Sequence, residues 1–179
     1  AALAAGGSPP SPAPLAVTEE FNSSGSVITA GAWASGTVYP AAIQDPAGAG
    51  PATAAIVYGG YTTAPTNIST EYNGSAWTAT PTLNTARGLY QTGIGTQTAA
   101  LAASGTPPPT GATEKWDGSS WTSVTSMNDA RHSASGGGVQ TSALIAGGSI
   151  PSPSPPSNTD KAESYNGSTW TVETVTPSI

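Results

Sequence analysis

The sequence has no cysteine, a single histidine, a single methionine and a single phenylalanine among 179 residues. Without cysteine there are no disulfides, no thiolate catalysis, no iron–sulfur cluster and no Cys-ligated zinc, and the redox compartment is left open. One histidine, His132, makes no metal-binding cluster, and a triad role would demand a partnered Ser and Asp. Charge is scarce at 8% of residues, with four basic side chains (Arg87, Lys115, Arg131, Lys161) against ten acidic ones and a net charge of -6. No basic patch is available for a phosphate backbone or anionic lipid, so nucleic acid is not an expected partner. Apolar runs such as Ala54 to Tyr58 and Ala143 to Ala146 fall far short of the roughly 20 residues that cross a bilayer, so no membrane insertion is expected. The opening Ala1-Ala2-Leu3-Ala4-Ala5 has neither an initiator Met nor a basic flank and reads as the start of a processed or partial chain.

What the chain does contain is 22 Gly, 17 Pro and an abundance of Ala, Ser and Thr, with neutral hydroxyls and amides left to cover the surface. Such a composition signals disorder only when it lacks a period. Here a period exists. Ala55-Ile56-Val57-Tyr58-Gly59-Gly60 aligns with Ala100-Leu101-Ala102-Ala103-Ser104-Gly105, with Ala143-Leu144-Ile145-Ala146-Gly147-Gly148 and with Ala2-Leu3-Ala4-Ala5-Gly6-Gly7. Each of the last three copies continues to a Glu, an aromatic, a turn and a Trp: Glu71-x-Asn73-Gly74 to Trp77, Glu114-x-x-Asp117-Gly118 to Trp121, and Glu163-x-x-Asn166-Gly167 to Trp170. Leu83-Asn84-Thr85-Ala86-Arg87 and Met127-Asn128-Asp129-Ala130-Arg131 then lead through Gln97-Thr98 and Gln140-Thr141 into the next apolar run. The unit is about 43 to 50 residues long. The first copy is degenerate, keeping Glu20-Phe21 but placing Val27-Ile28 where Trp is expected.

The unit reads as all-β. Asn-Gly and Asp-Gly between short β-prone runs predict tight hairpins with a type I′ turn, in which both central residues take positive φ. Apolar runs ending in Gly-Gly suit buried strands, and Thr/Ser alternation suits strands with one wet face. A four-strand unit of this size cannot bury both faces alone, so units must stack on one another, and radial stacking gives a propeller.

The Gly-Gly strand, the Glu-x-Tyr strand, the Asn-Gly turn, the following Trp and the downstream Arg together resemble kelch repeats. The resemblance implies an all-β, kelch-like β-propeller with nearly four four-stranded blades in this chain, the first lacking its first strand. Residues 1–179 would form a single propeller segment with blade units at approximately 1–35, 36–80, 81–125 and 126–179. It further implies Gly-Gly closing the second strand, the aromatic on the third, Trp on the fourth, and Arg leading into the next blade.

Glu20, Glu71, Glu114 and Glu163 recur at one position. A catalytic pair needs two carboxylates in different environments, whereas one acid per unit suits a structural acceptor of backbone donors or of Arg. Arg87 and Arg131 are expected to tie blade to blade through the planar guanidinium, with Glu71, Glu114 or backbone carbonyls as acceptors. Trp77, Trp121 and Trp170 read as core wedges rather than sugar platforms. No catalytic residue, metal ligand or cofactor site is expected. The chain also departs from galactose-oxidase-like enzymes, kelch-type proteins whose copper site uses a Cys–Tyr cross-link and several His.

Variation concentrates after Gly-Gly, at 8–14, 61–66, 106–110 and 149–157, and every one of these loops bears proline. Equivalent loops of a propeller share one face, so a collar of stiff, polyproline-like, uncharged loops is expected, with Tyr61, Pro65, Pro108 and Pro153 as candidate ligand-binding residues. The functional expectation is a non-enzymatic structural and binding module of an extracellular assembly, foremost a virion (phage) fibre, spike or capsid-decoration protein. A bacterial or secreted adhesin and the non-catalytic domain of a carbohydrate-active enzyme are the alternatives. Its partners would be assembly proteins or a surface glycan, and an open edge leaves room for a homo-oligomer.

Overall fold

The computed structural model describes residues 2–5, 18–22, 32–89, 93–151 and 157–174, and among them there is no helix. Three antiparallel four-stranded sheets follow one another along the chain, each in up-and-down order. The first contains β4 (Ala47–Ala49), β5 (Ala55–Tyr58), β6 (Ser69–Tyr72) and β7 (Trp77–Ala79). The second contains β8 (Ile94–Thr96), β9 (Ala99–Ala103), β10 (Thr113–Trp116) and β11 (Trp121–Val124). The third contains β12 (Ser135–Val139), β13 (Ser142–Ala146), β16 (Ala162–Tyr165) and β17 (Trp170–Glu173), with a small β14–β15 ladder (Ser149–Ile150, Ser157–Asn158) in the loop between its middle strands. Before them β1 (Ala2–Ala5), β2 (Thr18–Asn22) and β3 (Ala32–Ser35) form a three-stranded sheet.

Why the apolar runs have no polar alternation is answered by where alternate residues go. Ile56 and Tyr58 of β5 join Ala100 and Ala102 of β9 in one buried cluster, while Val57 turns to the opposite side with Tyr39 and Ile43. Leu101 and Ala103 of β9 in turn meet Ala143 and Ile145 of β13. The second strand of each central sheet is therefore covered on both faces, and a period of two distributes its side chains between two different cores. First strands come closest between sheets, β4 against β8 and β8 against β12.

The turns differ from the type I′ expectation. Positive φ falls on Gly74, Gly118 and Gly167 alone (+91°, +92° and +95°), not on the Asn or Asp before them. Asn73 Oδ1 instead accepts from Ser75 N–H (3.0 Å) and Ala76 N–H (2.9 Å), and Asp117 and Asn166 do the same in their copies. The short polar side chain closes the turn from its first position, so only the first central residue needs the left-handed region.

Candidate functional site

The variable loops after the second strands are built on a common clamp. In the first full sheet Gly59 N–H donates to Ile68 C=O and Gly60 C=O accepts from Thr66 N–H, at 2.9 and 2.8 Å. The second sheet repeats this with Ser104 N–H to Ala112 C=O and Thr110 N–H to Gly105 C=O, and the third with Gly147 N–H to Lys161 C=O and Thr159 N–H to Gly148 C=O. All six residues of these dipeptides have positive φ, including Ser104 at +65°. Each second glycine also lies against a carbonyl, and a Cβ there would come 2.7 Å from Gln44 O (Gly60), 2.8 Å from Gly88 O (Gly105) or 2.6 Å from His132 O (Gly148). Glycine is required for close approach as well as for conformation.

These loops are not free polyproline segments. Polyproline II has no internal hydrogen bonds, whereas 61–66 and 106–110 are closed by the clamp and the last loop carries its own two-stranded ladder. Tyr61 pairs with Pro65 and Gln44 across local bridges, and its hydroxyl donates to Thr106 C=O of the neighbouring loop at 3.0 Å. Tyr61 is thus half-buried between two loops, Pro65 is half-buried and Pro108 is exposed. Pro153 and the loop at 8–14 lie outside the described residues. Neither 61–66 nor 106–110 contains a charged residue.

Below the loops lie two matching ionic centres. Arg87 Nη1 contacts Glu114 Oε1 at 2.5 Å, and Arg131 Nη2 contacts Glu163 Oε1 at 2.7 Å, with all four side chains buried. Arg87 also donates to Ser104 C=O from Nε and to Thr85 C=O from Nη1, and Arg131 donates to Lys161 C=O. The backbones of the same arginines belong to the preceding sheet: Arg87 accepts from Gly60 N–H and donates to Thr66 C=O, and Arg131 does likewise with Gly105 and Thr110. One residue therefore joins the loop of one sheet to the buried carboxylate of the next. Glu71 does not share the position of Glu114 and Glu163: the register Tyr72–Trp77, Trp116–Trp121, Tyr165–Trp170 sets it level with Lys115 and Ser164, one residue on, and among the described residues it has no ion pair. In the first full sheet the carboxylate's place is taken by buried Thr70, whose hydroxyl meets the Tyr39 hydroxyl at 3.0 Å, and the arginine's place by Ile43. The side chain of Glu20 is outside the description.

Two sets of partners were not assigned from the sequence. Asn84 and Asn128 complete the carboxylates, each donating its backbone N–H (2.7 Å) and side-chain amide (2.9 Å) to Glu114 or Glu163 Oε2. Gln97 reaches back to Ala55 and Tyr72 carbonyls, and Gln140 to Ala100 and Trp116 carbonyls. Their recurrence in the repeat was the only available signal. The tryptophans sit between sheets, Trp121 Nε1 donating to Ser69 Oγ and Trp170 Nε1 to Thr113 Oγ1. Trp77 instead donates to Thr37 C=O.

Tyr58 donates to Leu101 C=O across the sheet interface, and burial pushes its phenol well above the ordinary range. Asp117 moves the other way: the Ser119 hydroxyl, followed by the Ser120 and Ser119 backbone N–H groups, lowers its carboxyl to about 2. His132 pairs through its backbone with Ser149, and its Nδ1 meets Ser133 Oγ at 3.0 Å. Among the described residues no three His, Asp or Glu side chains are arranged to hold a metal ion. Compared with known proteins, the chain matches no protein-family model and no curated protein.

Proposed function

We propose that the chain is a kelch-like β-propeller segment acting as a non-enzymatic structural and binding module of an extracellular assembly, a virion fibre, spike or capsid-decoration protein. The observation that carries this reading is the clamp: a fixed scaffold of sheets holds loops of different length and sequence at equivalent positions, and Tyr61 joins two of them. Loops that are held at their bases lose less entropy on contact than free segments, which suits recognition. First strands in mutual contact, with alternate residues of each second strand entering different cores, support a radial arrangement of the sheets. The uncharged loops suit a glycan or a neutral protein surface, whose recognition changes little with salt.

The test has two arms. Proteolytic peptides of the chain are sought by mass spectrometry in purified particles from the source, and their absence overturns the virion assignment. The recombinant chain and its Pro65→Ala, Pro108→Ala variant are applied to a glycan array and to those particles. Binding reduced at least about tenfold in the variant is expected, and equal binding overturns the loop site.

A further inference from the structure

The three full sheets share strand order and clamp, but the third differs from the other two in what covers its second strand. Ile56 and Leu101, at the same position of β5 and β9, are both 0% exposed because the next sheet covers them, whereas Leu144 of β13 is 47% exposed. Around it lies a shallow hollow of about 540 Å³ over Gly137, Leu144 and Ala146. This is the face that, in the other sheets, receives the following one.

The polar half of the junction is also present there. At the two existing junctions the incoming repeat uses four backbone groups of the sheet before it. The N–H of the second clamp glycine (Gly60, Gly105) goes to the arginine carbonyl, and the Thr66 or Thr110 carbonyl receives the arginine N–H. The remaining two are the carbonyls that accept the glutamine amide, Ala55 with Tyr72 and Ala100 with Trp116. The equivalents on the last sheet are Gly148 N–H and the carbonyls of Thr159, Ala143 and Tyr165. Among the described residues no carbonyl receives Gly148 N–H, and no side-chain amide reaches Ala143 or Tyr165.

We propose that the outer face of the β12–β13–β16–β17 sheet is a docking site for one further repeat of this kind, joined in series beyond β17. The partner is defined by its chemistry: a four-stranded sheet preceded by a Leu/Met-Asn-x-Ala-Arg segment and carrying Gln in the turn between its first two strands. A second copy of the described chain does not supply it, since its segments at 83–87 and 127–131 are already seated on its own Gly60 and Gly105. Connection in series does, because at both existing junctions the segment that follows the fourth strand turns back onto the sheet just completed, Leu83 N–H to Asn67 C=O and Met127 N–H to Gly111 C=O. The inference concerns how the array is extended and does not depend on where the protein acts.

The experiment appends a duplicate of residues 80–125 after Glu173 and compares it with the unmodified chain. Because the sequence has no cysteine, Leu144→Cys places a single thiol on the face in each. A docked repeat slows thiol labelling and amide exchange at Gly148 by at least about tenfold and gives one cooperative melt at a Tm about 5 °C or more higher. Replacing the appended unit's counterparts of Arg87 and Gln97 with Ala reverses these changes while leaving the original sheets' melt intact. Unchanged labelling and exchange in the fusion overturn the proposal. So does a concentration-dependent dimer of the unmodified chain that Leu144→Asp abolishes, since a second copy is then the occupant.

Discussion

Replacing Glu163 by Leu is expected to be among the costliest single changes in the molecule. The carboxylate is fully buried and accepts from Arg131 Nη2 (2.7 Å), Asn128 N–H (2.7 Å), Asn128 Nδ2 (2.9 Å) and Asp129 N–H (3.1 Å). Breaking a buried pair by removing one partner costs about 3–5 kcal/mol, because the other charge stays behind uncompensated. Orphaned neutral donors add about 1 kcal/mol or more each where water cannot reach them. Total stability for a domain of ordinary size is about 5–15 kcal/mol, so the variant approaches the unfolding threshold. The double variant Arg131→Met, Glu163→Leu removes both charges together, and in the first full sheet uncharged Ile43 and Thr70 stand at the places of the arginine and the carboxylate. It is expected to cost at least about 2 kcal/mol less than the sum of the two single changes. Urea unfolding followed by tryptophan fluorescence measures all three variants, Trp170 lying one strand from Glu163. A loss below about 1 kcal/mol for Glu163→Leu, or strict additivity in the cycle, refutes the reasoning.

Asp117 is the titrating member of a turn position otherwise held by Asn73 and Asn166. Its folded carboxyl lies at about 2 against an ordinary 3.8, so its contribution is complete above about 4 and is lost as the pH falls toward 2. An NMR titration midpoint near 3.8 refutes this, and Asp117→Asn should remove the acid-dependent step. At position 104 the left-handed φ of +65° favours glycine. Ser104→Gly is therefore expected to stay within about 1 kcal/mol of the wild type and Ser104→Val to lose about 2 kcal/mol or more, measured by denaturant melts. Gly148→Ala places a Cβ 2.6 Å from His132 O and should destabilise, while Gly137→Ala meets nothing within 4 Å and should be neutral or stabilising. Equal melting temperatures for those two variants would contradict the clamp geometry.

Much of the fold was legible because its signals are local and repeated. The apolar runs, the Asn/Asp-Gly turns and the Trp column lie within one unit each, and all three full sheets follow that order. The turn type was misread because Asn-Gly serves two hairpin geometries, and only the side-chain acceptor at Asn73 separates them. The Arg87–Glu114 pairing could be narrowed to candidates, since both residues recur. The reach of Gln97 could not, because it depends on which carbonyls a neighbouring sheet turns outward, a relation across 42 residues of chain. Proline content suggested stiff extended loops, but backbone bonds to the two clamp residues outweigh the residue preference in 61–66 and 106–110.

The clamp also bears on how such a protein can diversify. Both of its hydrogen bonds join residues at the root of the loop, so the chain between them is isolated from the sheet register. Among the three described copies the enclosed stretch runs from Gly59 to Ile68, from Ser104 to Ala112 and from Gly147 to Lys161, with no change in the order of the strands beneath. Insertions and deletions there cost little more than slowly rising closure entropy. The scaffold is thereby buffered against its own most variable segments: new loop sequences can be sampled there without re-solving the fold, and the Tyr61 hydroxyl on Thr106 C=O is a tie between two loops that such changes must keep or replace.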